Sequence, residues 1–218
     1  MDSPIPIVVF ARAPVPGETK TRLIPRLGAR GAARLHAALI ERSLETARAA
    51  EIGPVELCCA PDTEHAFFSR CAERFGVTLT VQGAGDLGER MFAALERIVA
   101  AAGPALLIGT DCPALTPLHL REAAEMLRAG RDAVFAPAED GGYVLVGLAC
   151  ASPRVFAGIE WGGPNVMRET RSRLAAFGWR WHELAELWDL DRPADITRLA
   201  ERVEGGARYL EAVMRAEP

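Results

Sequence analysis

The chain has 218 residues, half of them apolar and a quarter charged, with a formal net charge of −4. This length suits one hydrophobic core, so we expect a single domain over residues 1–218. The acidic balance gives no electrostatic basis for binding nucleic acid or an anionic membrane, and no apolar run approaches the roughly 20 residues of a membrane span.

The cysteines and the first residues of the chain indicate the cellular compartment of the protein. The five cysteines are odd in number and show no C-x-x-C spacing, which argues against a disulfide framework or a zinc site. The start of the chain has neither the basic segment nor the long apolar segment of a secretion signal. We therefore expect a cytoplasmic protein.

Short apolar runs alternate with helical patterns along the chain. Strands are predicted over 5–11, 54–60, 77–82, 105–110, 132–138 and 142–148. Helices are predicted over about 30–51, 64–75, 86–102, 117–129 and 164–177, with one or more helices in the last part of the chain. This alternation predicts an α/β domain with a mainly parallel, mixed sheet and helices on both faces. In such sheets, ligands bind in the loops beyond the carboxyl ends of the strands.

The loop after the first strand contains Lys20, the single lysine among 25 basic residues. Its sequence, APVPGETKTRL, resembles the end of a P-loop, but no glycine directly precedes the lysine, and Pro25 and Gly28 interrupt the helix that should follow. A compact ammonium can sit among several phosphate oxygens, whereas a planar guanidinium needs a fork-shaped partner. We expect Lys20 to bind phosphate; a solvated basic loop is the alternative.

Two further loops carry acidic residues. Asp111, in IGTDCP, follows the fourth strand and is placed to hold a magnesium ion that bridges phosphates, although it could merely cap the turn. In AEDGGY, Asp140 is followed by Gly141 and Gly142, where a bound ligand could approach the backbone closely. A plain hairpin turn explains the same two glycines equally well.

Two other segments leave alternatives open. In GDLGERM, Asp86 could cap a helix whose start brings Arg90 to an anion. In WDLDRPADI, Asp189 and Asp191 point to the same side if the segment is extended, and they could bind a metal. Pro193 would then begin a helix, so Asp191 could serve only as its cap.

Taken together, FARAPVPGETKTRL, GDLGERM, IGTDCP, EDGGY, Trp161-Gly162 and DLDRPAD resemble an uncharacterised bacterial glycosyltransferase-like family. That family belongs to the nucleotide-diphospho-sugar transferase (GT-A) superfamily, and the motifs are similar to those of guanylyltransferases that make phospholactate-derived and molybdenum cofactors. The motifs occur in order from residue 8 to about 196.

The resemblance implies a single GT-A, Rossmann-like domain with a nucleotide over the first loop. It implies that Arg12, Gly17, Lys20, Arg22 and Arg90 contact the nucleotide. Asp111 would be the metal aspartate for Mg²⁺ or Mn²⁺, completed by Asp189 and Asp191, while Lys20, Asp111 and Asp140 would act in catalysis. Gly141, Gly142 and Asn165 would border the substrate; where the family pattern has Ser or Thr after Trp-Gly, this chain has Gly163, so a hydroxyl contact is missing or moved to Asn165.

The expected activity is transfer from an activated nucleotide to a small-molecule acceptor. We expect a glycosyltransferase that uses a nucleotide-sugar donor. Alternatives are a nucleotidyltransferase acting on a small phosphorylated or acidic acceptor and, since all three metal aspartates are present, less readily an inactive nucleotide-binding module. Nucleic acid and membrane are not expected as partners; a homodimer is left open.

Overall fold

A computed structural model describes residues 3–203 and 205–215 of the chain. One seven-stranded sheet runs through it in the order β3-β2-β1-β4-β6-β5-β7. The strands are Ile7–Arg12 (β1), Val55–Ala60 (β2), Thr78–Val81 (β3), Ala105–Ile108 (β4), Ala133–Pro137 (β5), Tyr143–Leu148 (β6) and Trp181–Glu183 (β7). Only β6 runs antiparallel to its neighbours, so the sheet is mixed and mainly parallel, as predicted.

Seven helices accompany the sheet within the described residues. They are Ile24–Ala50 (α1), Ala66–Phe75 (α2), Leu87–Ala102 (α3), Pro117–Arg128 (α4), Val166–Ala176 (α5), Pro193–Arg202 (α6) and Gly206–Arg215 (α7). Helix α1 begins earlier than the predicted residue 30, and Gly28 interrupts it with a non-helical φ of 69°. The first turn thus lies at an angle to the rest of the helix, next to the loop that follows β1.

Strand β1 shows why helices cover both faces. Its residues alternate between two buried clusters, because successive side chains of a strand point to opposite faces. Ile7 and Val9 pack with the cluster formed by α1, α2 and α4. Val8 and Phe10 pack with the cluster formed by α3 and α5. A third cluster joins α1 to α6 and α7, so the end of the chain packs beside the first helix.

The fold departs from the sequence prediction at one strand and decides between two alternatives at one turn. Strand β7 was not predicted, because three residues rich in aromatic and polar side chains carry no strand pattern; its parallel pairing with β5 defines it. The Asp140-Gly141 segment is the turn of the β5–β6 hairpin, which was one of the two interpretations of the glycine pair.

Within the described residues, no helix is long and apolar enough to cross a bilayer.

Candidate functional site

A cleft of ≈ 580 Å³, called the main cleft below, lies at the carboxyl ends of β1 and β4. Seven of the residues that the sequence singled out line it, from four separate segments of the chain: Arg12, Lys20, Arg22, Arg90, Asp111, Asp189 and Asp191. The loops beyond β1 and β4 therefore line one common cleft. The segment at 189–191 joins them because it hydrogen bonds directly to the end of β4, where Leu190 N donates to the carbonyl oxygen of Asp111 at 2.7 Å.

Lys20 occupies a buried position in this cleft. Its side chain is only 4% exposed, and Nζ lies 2.8 Å from Oδ1 of Asp111 and donates a hydrogen bond to the carbonyl oxygen of Leu190. The backbone of Lys20 has φ 49° and ψ 42°, a left-handed conformation that costs a non-glycine residue about 1–3 kcal/mol. The alternative of a solvated basic loop is therefore wrong for Lys20, because its buried ammonium contacts two other segments of the chain.

Asp111 combines a buried oxygen with an accessible carboxyl group. Its side chain is 50% exposed, and its buried Oδ1 lies 2.8 Å from Nζ of Lys20. The ammonium balances the charge of this oxygen, while the exposed part of the carboxyl group lines the cleft. A metal ion that takes both oxygens of Asp111 must therefore displace the contact with Lys20.

The other basic residues of the cleft are held near its rim. Arg22 donates from Nη1 to Oδ2 of Asp191 in an exposed ion pair. Arg90, near the start of α3, donates from Nη1 to Oε1 of Gln82 at 3.0 Å. Gln82 in turn donates to the carbonyl oxygens of Ala11 and Cys58, at the ends of β1 and β2. Arg90 is thus oriented by a side chain that is itself fixed to the sheet.

Helix α3 begins with a capping box at Asp86. The Asp86 carboxylate accepts from Glu89 N, and the Glu89 carboxylate accepts from Asp86 N, both at 2.8 Å. The GDLGERM motif starts a helix, as predicted, and Arg90 lines the cleft, where its contact with an anion stays a prediction.

Asp189 lies among like charges. It is partly buried, and desolvation together with the negative charges of Asp111 and Asp140 raises the pKa of its carboxyl group to about 7. Neighbouring carboxylates raise one another's pKa because proximity disfavours the charged forms, and a bound cation removes that penalty. Asp191 does not cap α6; Asp195 does, accepting from the backbone N–H groups of Asp191 and Arg192 at 3.0 and 2.6 Å.

These carboxylates fit a metal only in part. Over residues 3–203 and 205–215, no three His, Cys, Asp or Glu side chains lie close enough to form a metal site by themselves. Magnesium in nucleotide sites usually takes one or two carboxylates and completes its shell with phosphate oxygens and water. The half-exposed carboxyl group of Asp111 and the carboxyl group of Asp189, which lies among like charges, suit such an ion, which would bind together with a phosphorylated ligand.

The remaining predicted site residues lie outside the main cleft. Asp140 accepts from Gly142 N at 2.9 Å and borders a second cavity described below. Gly141, with φ 92°, packs against the chain itself: a Cβ there would lie 2.0 Å from the carbonyl oxygen of Pro164. Asn165 is an exposed residue at the start of α5, and Gly17 is an exposed residue of the first loop with φ 90°. Their predicted contacts with substrate or nucleotide stay predictions.

Among the polar cleft residues that sequence reasoning missed, His36 and Tyr143 have buried side-chain atoms without a partner. His36, in α1, is 6% exposed and lines the cleft, and its Nε2 lies 3.0 Å from the carbonyl oxygen of Arg12. A carbonyl only accepts, so Nε2 carries the proton and Nδ1 is an acceptor, which is buried without a partner. Burial lowers the pKa of His36 and keeps the ring neutral. Tyr143, at the start of β6, also has a buried hydroxyl without a partner. No spacing pattern marked either residue.

Solved structures share this fold. A protein of Desulfovibrio desulfuricans G20, provisionally assigned as a nucleotide-diphospho-sugar transferase, is 25% identical with a TM-score of 0.81, and the match covers 98% of each chain. The 4-diphosphocytidyl-2C-methyl-D-erythritol synthase of Anaerococcus prevotii DSM 20548 is 12% identical with a TM-score of 0.59, covering 95% of this chain and 96% of that one.

A third similar structure holds ligands. The glucosyl-3-phosphoglycerate synthase of Mycobacterium tuberculosis, solved with Mn²⁺, UDP and glucosyl-3-phosphoglycerate, is 13% identical with a TM-score of 0.54, covering 99% of this chain and 81% of that one. The neighbours are thus nucleotidyl- and glycosyltransferases, and the GT-A-like superfamily predicted from the motifs is confirmed.

The sequence comparisons give a family without an assigned activity. No curated protein matches the chain significantly. Residues 43–163, more than half of the chain, match the model of a family described as an uncharacterized protein conserved in bacteria. The chain therefore belongs to the DUF2064 family.

Proposed function

We propose that this protein is a metal-dependent transferase that uses a nucleotide-sugar donor bound in the main cleft. The observation that carries the proposal is the convergence of Lys20, Asp111 and Asp189, from three distant segments, on one point at the carboxyl end of the sheet. Four cationic side chains and several carboxylates line a cleft of ≈ 580 Å³, which is a suitable size for a small ligand.

The basic residues of the cleft would bind the phosphates. Lys20 and Arg22 belong to the segment after β1. Arg12 is the last residue of β1, and Arg90 lies in the first turn of α3. When phosphates enter, Lys20 would exchange its contact with Asp111 for phosphate oxygens, and Arg22 would leave an exposed ion pair that contributes little. These cations would then stabilise the negative charge that grows on the leaving phosphate.

Asp111 and Asp189 would hold a Mg²⁺ or Mn²⁺ ion. Such an ion, when bound, neutralises phosphate charge as a Lewis acid. The chain's own contribution is to hold the two carboxylates in place: Leu190 N binds the carbonyl oxygen of Asp111, so the two metal-binding segments are fixed to each other. Asp140, whose charge raises the pKa of Asp189, is the candidate general base for the acceptor hydroxyl.

The similar structures support this proposal at the level of fold and chemistry. They include an enzyme solved with Mn²⁺ and UDP, and one assigned to the nucleotide-diphospho-sugar transferases that matches 98% of the chain. An inactive module fits less well, because all three predicted metal aspartates line the cleft.

A second candidate is nucleotidyl transfer from a nucleoside triphosphate. The observation in its favour is the number of cations around the cleft: Arg12, Lys20, Arg22 and Arg90 together match the charge of a triphosphate. An acceptor oxygen would then attack the α-phosphorus, and pyrophosphate would leave.

Product analysis distinguishes the two reactions. The protein is incubated with Mg²⁺, candidate small acceptors and either nucleoside triphosphates or UDP- and GDP-sugars. Release of a nucleoside diphosphate from a sugar donor supports the proposal, while release of pyrophosphate supports the second candidate. Absence of binding to both donor classes, measured by calorimetry with Mg²⁺, would contradict both.

A further inference from the structure

A second cavity of ≈ 550 Å³, called the side cavity below, adjoins the main cleft. The two share Arg22, Asp189 and Asp191 as lining residues. The proposed metal-binding carboxylates therefore lie on the boundary between the two spaces. A molecule in the side cavity would meet a donor in the main cleft at this boundary.

Most carboxylates of the side cavity already have partners. Glu139 receives both Nη atoms of Arg198, at 2.6 and 2.5 Å, and this pairing lowers the pKa of Glu139. Asp191 pairs with Arg22, and Asp195 accepts two backbone N–H groups. Asp189 and Asp140 form no ion pair with a described residue, and they lie on the side of the boundary with the main cleft, where the charge of Asp140 acts on Asp189.

The unmatched groups in the rest of the side cavity are hydrogen-bond donors. Nε of Arg198 is buried and has no partner. Its guanidinium is held in place by Glu139 and by the ring of Trp188, whose centroid is 4.5 Å from Cζ. The guanidinium of Arg192 forms no ion pair with any described residue, and it is exposed at the cavity wall. A buried donor beside a guanidinium without a carboxylate partner suits a carboxylate or phosphate group.

We propose that the side cavity binds the acceptor and that the acceptor is a small hydroxylated acid, either a carboxylate or a phosphate ester. Its anionic group binds Arg192 and Arg198, and its hydroxyl group points to Asp189, on the boundary, and to Asp140 near it. This inference rests on the proposed transferase function and adds the chemical class of the acceptor. The opposite placement, with the anion at the boundary, would put it against Asp189 and Asp140 and is disfavoured by repulsion.

The transfer step then balances as follows for a sugar donor. The acceptor oxygen forms a bond to the anomeric carbon, and the bond from that carbon to the phosphate oxygen breaks. The nucleoside diphosphate leaves with the bonding electron pair. The proton of the acceptor hydroxyl passes to the Asp140 carboxylate and then to water.

The test uses three probes of similar size: glycerol 3-phosphate, glycerate and glycerol. Their binding to the full-length protein is measured by calorimetry without nucleotide, so that the result does not depend on the donor. One or both of the anionic probes should bind, and which one binds distinguishes a phosphate from a carboxylate. Glycerol should bind at least 10-fold more weakly than the better anion.

Two arginine variants locate the binding. Arg192→Gln should weaken the anionic probe by about 10- to 150-fold, as expected for loss of a charged hydrogen bond, and leave nucleotide affinity unchanged. Arg154→Gln is the matched control, since Arg154 is exposed and lines neither the main cleft nor the side cavity. Equal affinity for glycerol and both anions, or anion binding that is unchanged in Arg192→Gln, would overturn the proposal.

The experiment tests the transferase function and the acceptor class independently of each other. If the anionic probes bind as expected but no nucleotide binds in the presence of Mg²⁺, the anion-binding role of the side cavity stands and the transferase function is wrong. If nucleotides bind and the anions do not, the acceptor class is wrong and the transferase function stands.

Discussion

Nζ of Lys20 lies 2.8 Å from Oδ1 of Asp111, so the single lysine of the chain faces the aspartate at the end of β4. The two residues are 91 positions apart and belong to separate loops. In the proposed function, phosphate oxygens replace Asp111 as the partner of Lys20, and a metal ion binds Asp111. The ion pair would therefore hold the cleft together until a ligand replaces it.

Lys20→Ala should weaken nucleotide binding and also lower stability. The ammonium contacts Asp111 and the carbonyl oxygen of Leu190 with a side chain that is 4% exposed. Loss of a charged hydrogen bond costs about 1.5–3 kcal/mol, which corresponds to roughly 10- to 150-fold in affinity. Urea unfolding and calorimetry measure the two effects. Stability equal to wild type would mean that the buried contacts of Lys20 contribute nothing.

Lys20→Arg separates charge from shape. It keeps the positive charge, but a planar guanidinium does not fit a space closed by Asp111 and Leu190. We expect only part of the nucleotide affinity and less of the turnover to remain. Full activity of this variant would show that position 20 needs only a positive charge. The presence of a lysine there would then have no functional reason.

The apolar runs of the sequence predicted six of the seven strands because buried strands are recognisable locally. Residues that depend on distant partners were not predictable in the same way. The burial of Lys20 is set by Leu190, 170 positions further along the chain. Strand β7 is defined by its pairing with β5, and His36 reaches the cleft from the part of α1 after Gly28, where the sequence shows only a core pattern.

The sequence predicted which loops form the candidate site, but not the contacts between the residues of those loops. The topology brings together the loops after β1 and β4 because parallel strands end at the same edge. The closeness of the 189–191 segment follows from the hydrogen bond between Leu190 N and Asp111 O, which no local pattern encodes. Gly141 is a second example, because the carbonyl oxygen of Pro164 leaves no room for a side chain there, and the hairpin sequence alone does not show this contact.

Asp189→Asn should stabilise the metal-free protein and weaken metal binding. The wild-type carboxyl is desolvated and surrounded by Asp111, Asp140 and Asp191, and an amide removes one charge from this group. We expect the melting temperature at pH 8 without metal to rise by about 2–4 °C. Mg²⁺-dependent nucleotide affinity should fall in the same variant.

Asp191→Asn is the matched control for this change. Asp191 is more exposed and is paired with Arg22, so its removal should alter the melting temperature by less than the Asp189 change and in no fixed direction. A fall in stability of Asp189→Asn, with metal binding retained, would indicate a structural carboxylate instead of a metal ligand.

Gly141→Ala should destabilise the protein, whereas Gly142→Ala should have little effect. Gly141 has φ 92°, and a Cβ there would lie 2.0 Å from the carbonyl oxygen of Pro164, a backbone atom that cannot move easily. At Gly142 the nearest atom is the flexible Oδ1 of Asp140 at 3.2 Å. We expect a loss of at least about 1–3 kcal/mol for Gly141→Ala by urea unfolding. Equal stability of the two variants would contradict the close packing of the hairpin against Pro164.

The most direct test of the proposed site is calorimetry of nucleotide and nucleotide-sugar binding, with and without Mg²⁺, to wild type and to Asp111→Asn. Asparagine keeps the size of the side chain and leaves the backbone bond to Leu190 intact, so the fold should be preserved. We predict Mg²⁺-dependent binding to wild type that disappears in Asp111→Asn, while the variant still unfolds cooperatively, at a melting temperature lowered only by the loss of the ion pair with Lys20. Mg²⁺-dependent affinity that is unchanged in Asp111→Asn, or no binding of any nucleotide to wild type, would contradict the proposed site.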